Sequence, residues 1–105
     1  MKMLTSKQRA YLKSLAMDLD PIILLGKASL TTENEKNVDE ALAKRELIKV
    51  GVLKNCDDDP REIAETLAEH TRSEVVQVIG KKIVLYRQGK DKNRKIELPK
   101  ARKKQ

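Results

Sequence analysis

A glycine, a lysine and two small residues follow a short apolar run, and this combination suits binding of an anion. The run is residues 22–25 (IILL), and the next four residues are Gly26, Lys27, Ala28 and Ser29. Glycine adopts backbone conformations that other residues avoid, and the free amides of a helix start, expected here at Thr31 or Thr32, attract negative charge. The stretch therefore predicts a narrow loop that presents the Lys27 ammonium beside a phosphate site.

Further basic residues are candidates for binding the same anion. They lie on the first predicted helix, around a predicted hairpin and beyond residue 86, and are Lys7, Arg9, Lys13, Lys81, Lys82, Arg87, Arg94 and Lys95. For each of these, an ordinary solvated surface charge is the alternative. The chain has no Phe or Trp and only two Tyr, so bases have little aromatic surface on which to stack. Recognition of phosphates and of shape is therefore expected to dominate.

Patterns for catalysis or metal binding are weak. His70 is the only histidine and is expected near a helix end, where it caps the helix or lies on the surface. Asp57, Asp58 and Asp59 are adjacent and lack the ligand spacing of a calcium loop. Cys56 is the single cysteine and has no CxxC partner. No Walker, GxGxxG or HExxH motif occurs, so we expect no catalytic residue, no metal and no cofactor.

The positive charge is concentrated at the C-terminal end of the chain. The 105 residues include 23 Lys and Arg and 16 Asp and Glu, which gives a net charge of +7. Residues 1–86 carry 14 of each kind, whereas residues 87–105 carry 9 basic and 2 acidic residues. This asymmetry indicates attraction to a polyanion, most often nucleic acid, with an anionic membrane surface or a solubilising tail as alternatives.

Length and apolar pattern predict one globular domain. No uninterrupted apolar run exceeds four residues, which is far short of a membrane span, and the first residues lack the apolar core of a signal peptide. A single cysteine agrees with a reducing compartment. We expect a cytoplasmic monomer that does not bind membranes, with one domain over residues 1–98 and a disordered basic tail over residues 99–105.

The first helix and the first strand are predicted ahead of the loop. Thr5 and Gln8 form a capping-box pattern, and the helix they start is expected to end near residue 18 or 19. Its apolar stripe is Tyr11, Leu12, Leu15 and Ala16. Residues 22–25 (IILL), which follow Pro21, then predict a short strand that is buried on both faces.

A second helix, a second strand and a third helix follow. Thr32 and Glu35 form another capping-box pattern, for a helix that reaches about residue 45, with Val38, Ala41 and Leu42 as its apolar face. Residues 46–54 (ELIKVGVLK) alternate, which predicts a strand. The third helix is predicted to begin with Asp59 as cap, Pro60 at the first position and Glu62 closing a capping box. Its core residues are expected to be Ile63, Ala64, Leu67 and Ala68.

The last two strands are predicted to pair as a hairpin. Residues 74–79 (EVVQVI) and 82–86 (KIVLY) flank Gly80 and Lys81, which suit a type II′ turn. A strand-helix-strand unit makes parallel neighbours, so the sheet should be mixed. A brief alternation at residues 95–99 (KIELP) could lie against a sheet edge. We expect an α+β fold in the order α-β-α-β-α-β-β, a two-layer α/β sandwich with a small four-stranded mixed sheet.

Five stretches of the sequence carry a family resemblance. They are LTSKQRAYLKSLA at 4–16, PIILLGKASL at 21–30, ELIKV at 46–50, VQVIGKKIVLYR at 76–87 and KIELP at 95–99. Together they resemble the CRM-domain family (chloroplast RNA splicing and ribosome maturation), specifically its stand-alone bacterial YhbY-like members. The resemblance implies a fold similar to the C-terminal domain of translation initiation factor 3. It also implies RNA as a partner and association with precursors of the large ribosomal subunit.

The GxxG loop of that family falls on residues 26–29, where Ser29 replaces the second glycine. In KH-type domains a GxxG loop clamps the backbone of the nucleic acid. Serine keeps the position small and adds a hydroxyl that can donate to phosphate, but it resists left-handed backbone conformations. We therefore expect this loop either to bind less tightly or to adopt another turn.

These observations favour an RNA-binding protein that is not an enzyme. It would bind rRNA in precursors of the large subunit, and assist assembly, through the GxxG-like loop and the basic surface. One alternative is a protein-interaction module that docks on a ribosomal protein, with the basic tail as a nonspecific RNA tether. Another is an enzyme that acts on an anionic ligand at the loop, although no convergent set of acid, base or metal ligands supports it.

Overall fold

A computed structural model describes residues 4–89, 96, 98 and 99, and its elements follow the predicted order. The helices and strands are α1 Ser6–Ala16, β1 Ile23–Leu25, α2 Thr32–Arg45, β2 Leu47–Val52, α3 Pro60–Thr71, β3 Glu74–Ile79 and β4 Lys82–Tyr86. The α+β fold with a four-stranded mixed sheet is therefore confirmed. Arg94, Lys95 and the tail beyond residue 99 lie outside the described residues.

The four strands form one sheet in the order β1-β2-β4-β3. β1 and β2 are parallel, as the strand-helix-strand unit predicts, and the other two pairs are antiparallel. This order puts β1 and β3 at the two edges. It also brings the turn after β1, the turn after β2 and the β3–β4 hairpin to one end of the sheet, which we call the loop end.

α1 begins as predicted but ends early. The amide of Gln8 donates to Oγ1 of Thr5 at 3.0 Å, and the amide of Thr5 donates to Oε1 of Gln8 at 3.1 Å, which completes the capping box. The helix ends at Ala16 rather than near residue 18. There the amide of Leu19 donates to the carbonyl of Ala16 at 3.0 Å, and this i to i+3 bond tightens the last turn and stops the helix.

The predicted cap of α2 is wrong by one residue. Thr31 is the N-cap, and its Oγ1 accepts from the amide of Asn34 at 3.0 Å. Glu35 does not close a box with Thr32, because its carboxylate instead lies 2.8 Å from Nδ1 of His70 at the end of α3. The Thr31 cap starts α2 directly after the loop.

α3 begins at the predicted residue with a simpler cap. Asp59 is the N-cap and Pro60 is the first helical residue. The Asp59 carboxylate accepts from the amide of Arg61 at 3.3 Å, so the predicted partnership with Glu62 is not what caps this helix. The acidic turn before α3 thus has a structural role at Asp59.

The sheet face covered by α2 and α3 holds the larger core. Its members at most 1% exposed are Leu25, Val38, Leu42, Ile48, Val50, Ala64, Leu67, Ile83 and Leu85. The predicted apolar faces of α2, α3 and β2 are confirmed by this set. Because neighbouring residues of a strand point to opposite faces, the same set fixes which residues of each strand point away from the helices.

α1 crosses the opposite face of the sheet and forms a second, smaller core. This core contains Leu12, Ala16, Leu47, Val76, Val84 and Tyr86, and Leu15, Leu19, Ile96 and Leu98 pack against it. The sheet thus has α2 and α3 on one face and α1 on the other. Tyr11, predicted in the apolar stripe, is 37% exposed, and residues 96 and 98 pack on this core rather than along a sheet edge.

β1 is an edge strand, so the predicted burial on both faces is wrong. Leu25 is fully buried in the larger core, and Ile23 packs against that core. Leu24 points to the opposite face and is 57% exposed, and Ile22 before it is 42% exposed. The apolar run therefore has one buried and one open face.

The β3–β4 hairpin has the predicted bounds. Gly80 has a φ of 57°, whereas Lys81 is not among the described residues with positive φ. A type II′ turn needs a positive φ at its first position alone, while type I′ needs it at both, so the dihedral angles fit the predicted type. Further along β3, the register shifts between Val75 and Gln77, which marks a bulge at Val76.

Candidate nucleic-acid interface

Residues 26–29, which we call the lysine turn, fold back tightly after β1. The amide of Ser29 donates to the carbonyl of Gly26 at 2.8 Å, which closes a four-residue turn. Lys27 and Ala28 occupy the two central positions and are exposed, whereas Ser29 is only 9% exposed. The turn therefore holds the Lys27 ammonium and the backbone around Ala28 out towards solvent.

Ser29 takes the left-handed conformation that serine was expected to resist. Its φ is 56°, and its carbonyl accepts from the side-chain amide of Asn34 at 3.1 Å. This bond ties the lysine turn to the first turn of α2. Because the serine is mostly buried, the exposed groups of the turn are those of Lys27 and Ala28.

Gly26 does not have the unusual backbone angle that its type suggested. Among the glycines of the described residues, Gly80 is the one with positive φ. A Cβ at Gly26 would lie 3.5 Å from Oδ1 of Asn55 and 3.7 Å from Cδ1 of Leu53, which is ordinary van der Waals contact. What the glycine provides is half-buried backbone without a side chain, bordered by the amide of Asn55 and the aliphatic side chain of Leu53.

Lys81 and Lys82 lie at the same end of the sheet as Lys27. The carbonyl of Lys81 accepts from the amide of Val52 at 2.7 Å, and Val52 is the register partner of Leu25, the residue before the lysine turn. The hairpin thus stands two strand spacings, about 10 Å, from the start of the turn. Both hairpin lysines are exposed. The structure therefore brings three of the predicted cations to one end of the molecule.

Arg9 lies against the edge strand β3. Its Nη1 donates to the carbonyls of Val75 and Val76, at 3.2 Å for Val76, where β3 has its bulge. These bonds fasten α1 to the sheet. Lys7, in the first turn of the same helix, is exposed. Arg9 therefore has a structural role in addition to its predicted one.

A groove along β3 joins basic residues from the two faces of the sheet. It is lined by Arg9 and Lys13 of α1, by Arg61 and Glu65 of α3, and by the β3 residues 75–79. The sequence analysis did not single out Arg61, because only the strand order brings the start of α3 next to α1. Three cations and one carboxylate border this groove, which reaches Ile79 at the hairpin.

Arg87 lies at the other end of the sheet and is held within the fold. Its Nη1 donates to Oδ1 of Asp39 at 2.6 Å and to the carbonyl of Thr71 at 2.8 Å, and its Nη2 donates to the carbonyl of Asp39 at 2.9 Å. These bonds join the end of β4 to α2 and α3. The structure does not bring Arg87 to the lysines of the loop end.

Acidic residues at the loop end lie on the side of the sheet that α2 and α3 cover. Asp58 and Glu62 line a groove together with Ala28 and Ser29 of the lysine turn, and the first turn of α2 carries Glu33 and Glu35. Lys82 points to the opposite face, since its neighbour Ile83 belongs to the larger core. An anion at the loop end is therefore favoured on the face of α1 and disfavoured on the face of α2 and α3.

Two further candidates for chemistry, Cys56 and His70, also have defined places in the structure. Cys56 is a free thiol buried in the larger core. His70 is half exposed in the last turn of α3, beside Glu35. Within the part of the chain that the structure describes, no cluster of His, Cys, Asp and Glu could hold a metal ion, and no helix is long and apolar enough to cross a membrane.

Known proteins resemble this chain along most of its length. A family model described as the CRS1 / YhbY (CRM) domain matches residues 4–87. "Probable RNA-binding protein YqeI" of Bacillus subtilis is 48% identical over 97 residues, which are 92% of this chain and 100% of that protein. An "RNA-binding protein" of Haemophilus influenzae is 36% identical over 99 residues, 94% of this chain and 98% of that one.

A solved structure agrees with the fold. The solution structure of SAV1595 from Staphylococcus aureus has a TM-score of 0.78 and 56% sequence identity, and the match covers 92% of this chain and 100% of that chain. The family model alone spans most of the chain, from the start of the α1 cap to the end of β4. The chain belongs to the CRS1/YhbY (CRM) domain family.

Proposed function

We propose that this protein binds RNA, and that its target is rRNA in precursors of the large ribosomal subunit, whose assembly it assists. The observation that carries the proposal is the meeting of Lys27, Lys81 and Lys82 at one end of the sheet, beside bare backbone at Gly26. The names of the two relatives support RNA as the partner. The bacterial YhbY-like resemblance supports the ribosomal target.

The proposed binding is electrostatic and follows the sugar-phosphate chain. Lys27 and the backbone of the lysine turn hold one phosphate, and the hairpin lysines hold phosphates further along the strand. Lys13 and Arg61 extend the path along the groove beside β3. Contacts to phosphates fix the position of an RNA but carry no sequence information directly. The proposed role is thus binding without catalysis, by a cytoplasmic monomer.

Reversal of one charge tests the proposal. Lys27→Glu should weaken binding to an rRNA transcript by about tenfold or more, since it replaces an attraction by a repulsion at the turn. If about five phosphates are neutralised, the slope of log affinity against log salt should be near −4 in the wild type. Affinities measured by fluorescence anisotropy over a salt series give both quantities.

Lys44→Glu is the matched control. Lys44 is exposed in the last turn of α2, away from the loop end, and the substitution changes the net charge equally. It should leave RNA affinity nearly unchanged. A flat salt response, or an equal loss in both variants, would overturn the proposed interface.

Crosslinking in cells tests the ribosomal target. RNA crosslinked to the wild-type protein and then sequenced should be enriched in precursors of the large-subunit rRNA, and Lys27→Glu should lose the enrichment. Enrichment of messenger RNA instead would refute the ribosomal part of the proposal while leaving RNA binding intact.

A further inference from the structure

Among the residues that the structure describes, α1 covers only part of the second face of the sheet, and the loop end of that face is open. One row of register partners crosses all four strands there: Leu24, Gly51, Lys82 and Ile79. Leu24 is 57% exposed, Ile79 is 60% exposed, and Lys82 is exposed. The second core of α1 includes none of these four residues.

The next row of register partners, one step farther from the loop end, is exposed on the side of β1. The amide of Ile22 donates to the carbonyl of Lys49 at 3.0 Å, and Val84 is the partner of both Lys49 and Gln77. Val84 is 3% exposed in the second core, whereas Ile22 is 42% exposed. We call the exposed and half-buried side chains of the two rows the sheet platform, and its members are Ile22, Leu24, Lys49, Gln77, Ile79 and Lys82.

Aliphatic side chains cover Gly51 in the outer row, since Pro21 lies over it as well as Leu24. A Cβ at Gly51 would lie 2.8 Å from Cδ2 of Leu24, so the leucine side chain reaches across β2 over the glycine. It therefore presents the side of its isobutyl group to solvent. An aliphatic surface of this kind suits the face of a planar group, which loses contact with water when it packs there.

The charges of the platform are complementary to a polyanion. Its two charged members, Lys49 and Lys82, are both cations, and Asp20 and Arg45 line the groove beside Ile22 and Lys49. Lys81 precedes Lys82 in the hairpin, Lys27 lies at the same end of the sheet, and the groove with Lys13 continues from Ile79 along β3. Aliphatic surface interspersed with lysines matches unpaired nucleotides, which carry a planar base and a phosphate on each unit.

We propose that the sheet platform receives the unpaired bases of a single-stranded RNA whose phosphates are held by the lysine turn and the hairpin lysines. The inference rests on the proposed RNA-binding function and specifies its substrate. A duplex keeps its bases stacked inside and offers the protein only phosphates, riboses and groove edges. The platform thus gives this protein a preference for single-stranded over double-stranded RNA.

The test removes aliphatic surface and leaves every charge in place. In the full chain, Leu24→Ser combined with Ile79→Ser should weaken binding of a ten-nucleotide single-stranded RNA by about tenfold, as expected for loss of apolar burial against two aliphatic side chains. Affinity for a duplex of the same sequence and the salt slope of both RNAs should stay unchanged. Met17→Ser is the control, because Met17 is 80% exposed at the C-cap of α1, outside the platform.

Three results would overturn the proposal that the sheet platform receives unpaired bases. They are an unchanged single-strand affinity, an equal loss for the duplex, or normal affinity for naked RNA with lost binding to ribosomal precursors, which would make the platform a protein-docking surface. Ile79→Ser alone, at the exposed end of an edge strand, repeats the test if the double variant melts early. A failure of the proposed function gives a different result, in which Lys27→Glu changes neither RNA affinity nor its salt slope.

Discussion

Three residues other than glycine adopt positive φ among the described residues, and one of them lies in the candidate interface. Ser29 has a φ of 56°, while Glu46 at 66° and Arg72 at 57° are the C-caps of α2 and α3. A left-handed conformation is strained for a residue with a Cβ, by about 1–2 kcal/mol. At Ser29 this strain is maintained by the bond to Gly26 and by the side chain of Asn34.

Ser29→Gly should stabilise the protein by about 0.5–1 kcal/mol, because relief of the strain exceeds the added entropy of the unfolded chain. Urea denaturation measures the change. Ser29→Ala is the comparison, since it removes the hydroxyl and keeps the strain, and it should not raise the free energy of unfolding. An equal gain in both variants would mean that the hydroxyl, rather than the backbone, was unfavourable.

Gly26→Ala separates folding from binding. The new methyl group would meet Asn55 and Leu53 at ordinary contact distances, so the free energy of unfolding should change by no more than about 0.5 kcal/mol. RNA affinity should nevertheless fall by about tenfold, because in the proposed complex a phosphate approaches the Gly26 backbone and the methyl group narrows that approach. Thermal melting and anisotropy on one preparation give both values. An unchanged affinity would show that RNA does not approach Gly26 closely.

At the scale of elements, Glu46 joins α2, β2 and the segment that follows β4. It is fully buried, and its carbonyl accepts from the amide of Arg87 at 2.8 Å. Its carboxylate accepts from the amide of Gly89 at 2.6 Å and from the amide of Ile96 at 2.7 Å. One side chain thus fixes two points of the C-terminal segment at the end opposite the lysine turn.

Glu46→Gln should therefore destabilise the protein by about 1–3 kcal/mol, because one of the two amides then faces an NH₂ group in place of an acceptor. The change in the midpoint of urea denaturation measures this loss. Glu40→Gln, on the exposed surface of α2, removes the same charge and should change stability by no more than about 0.5 kcal/mol. Equal effects of the two substitutions would contradict the role of the Glu46 carboxylate in fixing the C-terminal segment.

At the scale of the whole molecule, the described residues of the C-terminal segment, which are 96, 98 and 99, pack on the rest of the fold. Ile96 and Leu98 pack against the second core, and the carbonyl of Pro99 accepts from Nε2 of Gln8 at 3.0 Å. Removal of the whole segment from residue 88 would therefore uncover the core beneath α1. A truncation that spares all of these described contacts begins at residue 100.

Deletion of residues 100–105 should leave the melting temperature nearly unchanged and weaken RNA binding without abolishing it, because the lysine turn and hairpin remain. Deletion of residues 88–105 should lower the melting temperature, since it removes the apolar contacts of Ile96 and Leu98 and the partners of Glu46. Calorimetry and anisotropy on both truncations check this. Loss of all RNA binding in the shorter deletion would mean that the tail, rather than the folded body, binds RNA.

Local patterns predicted most of the elements, whereas long-range pairing could not be predicted. The Thr5–Gln8 box and the bounds of β3 and β4 depend on neighbours in sequence, and they were correct. The edge position of β1, the face of α1 and the meeting of Arg61 with Lys13 depend on strand order, which periodicity does not contain. Glu46 looked like an ordinary strand residue, because its partners lie more than 40 positions away.

The bonds of Arg9 to the carbonyls of Val75 and Val76 have a consequence for solubility. An open strand at the margin of a sheet can recruit a strand from another molecule, and this is a common route to aggregation. On β3 two carbonyls are already bound by an arginine, and the bulge there distorts the ladder. On β1 the strand has three residues and follows closely after Pro21. The two margins thus resist intermolecular strand addition by different means, and an arginine of α1 provides one of them.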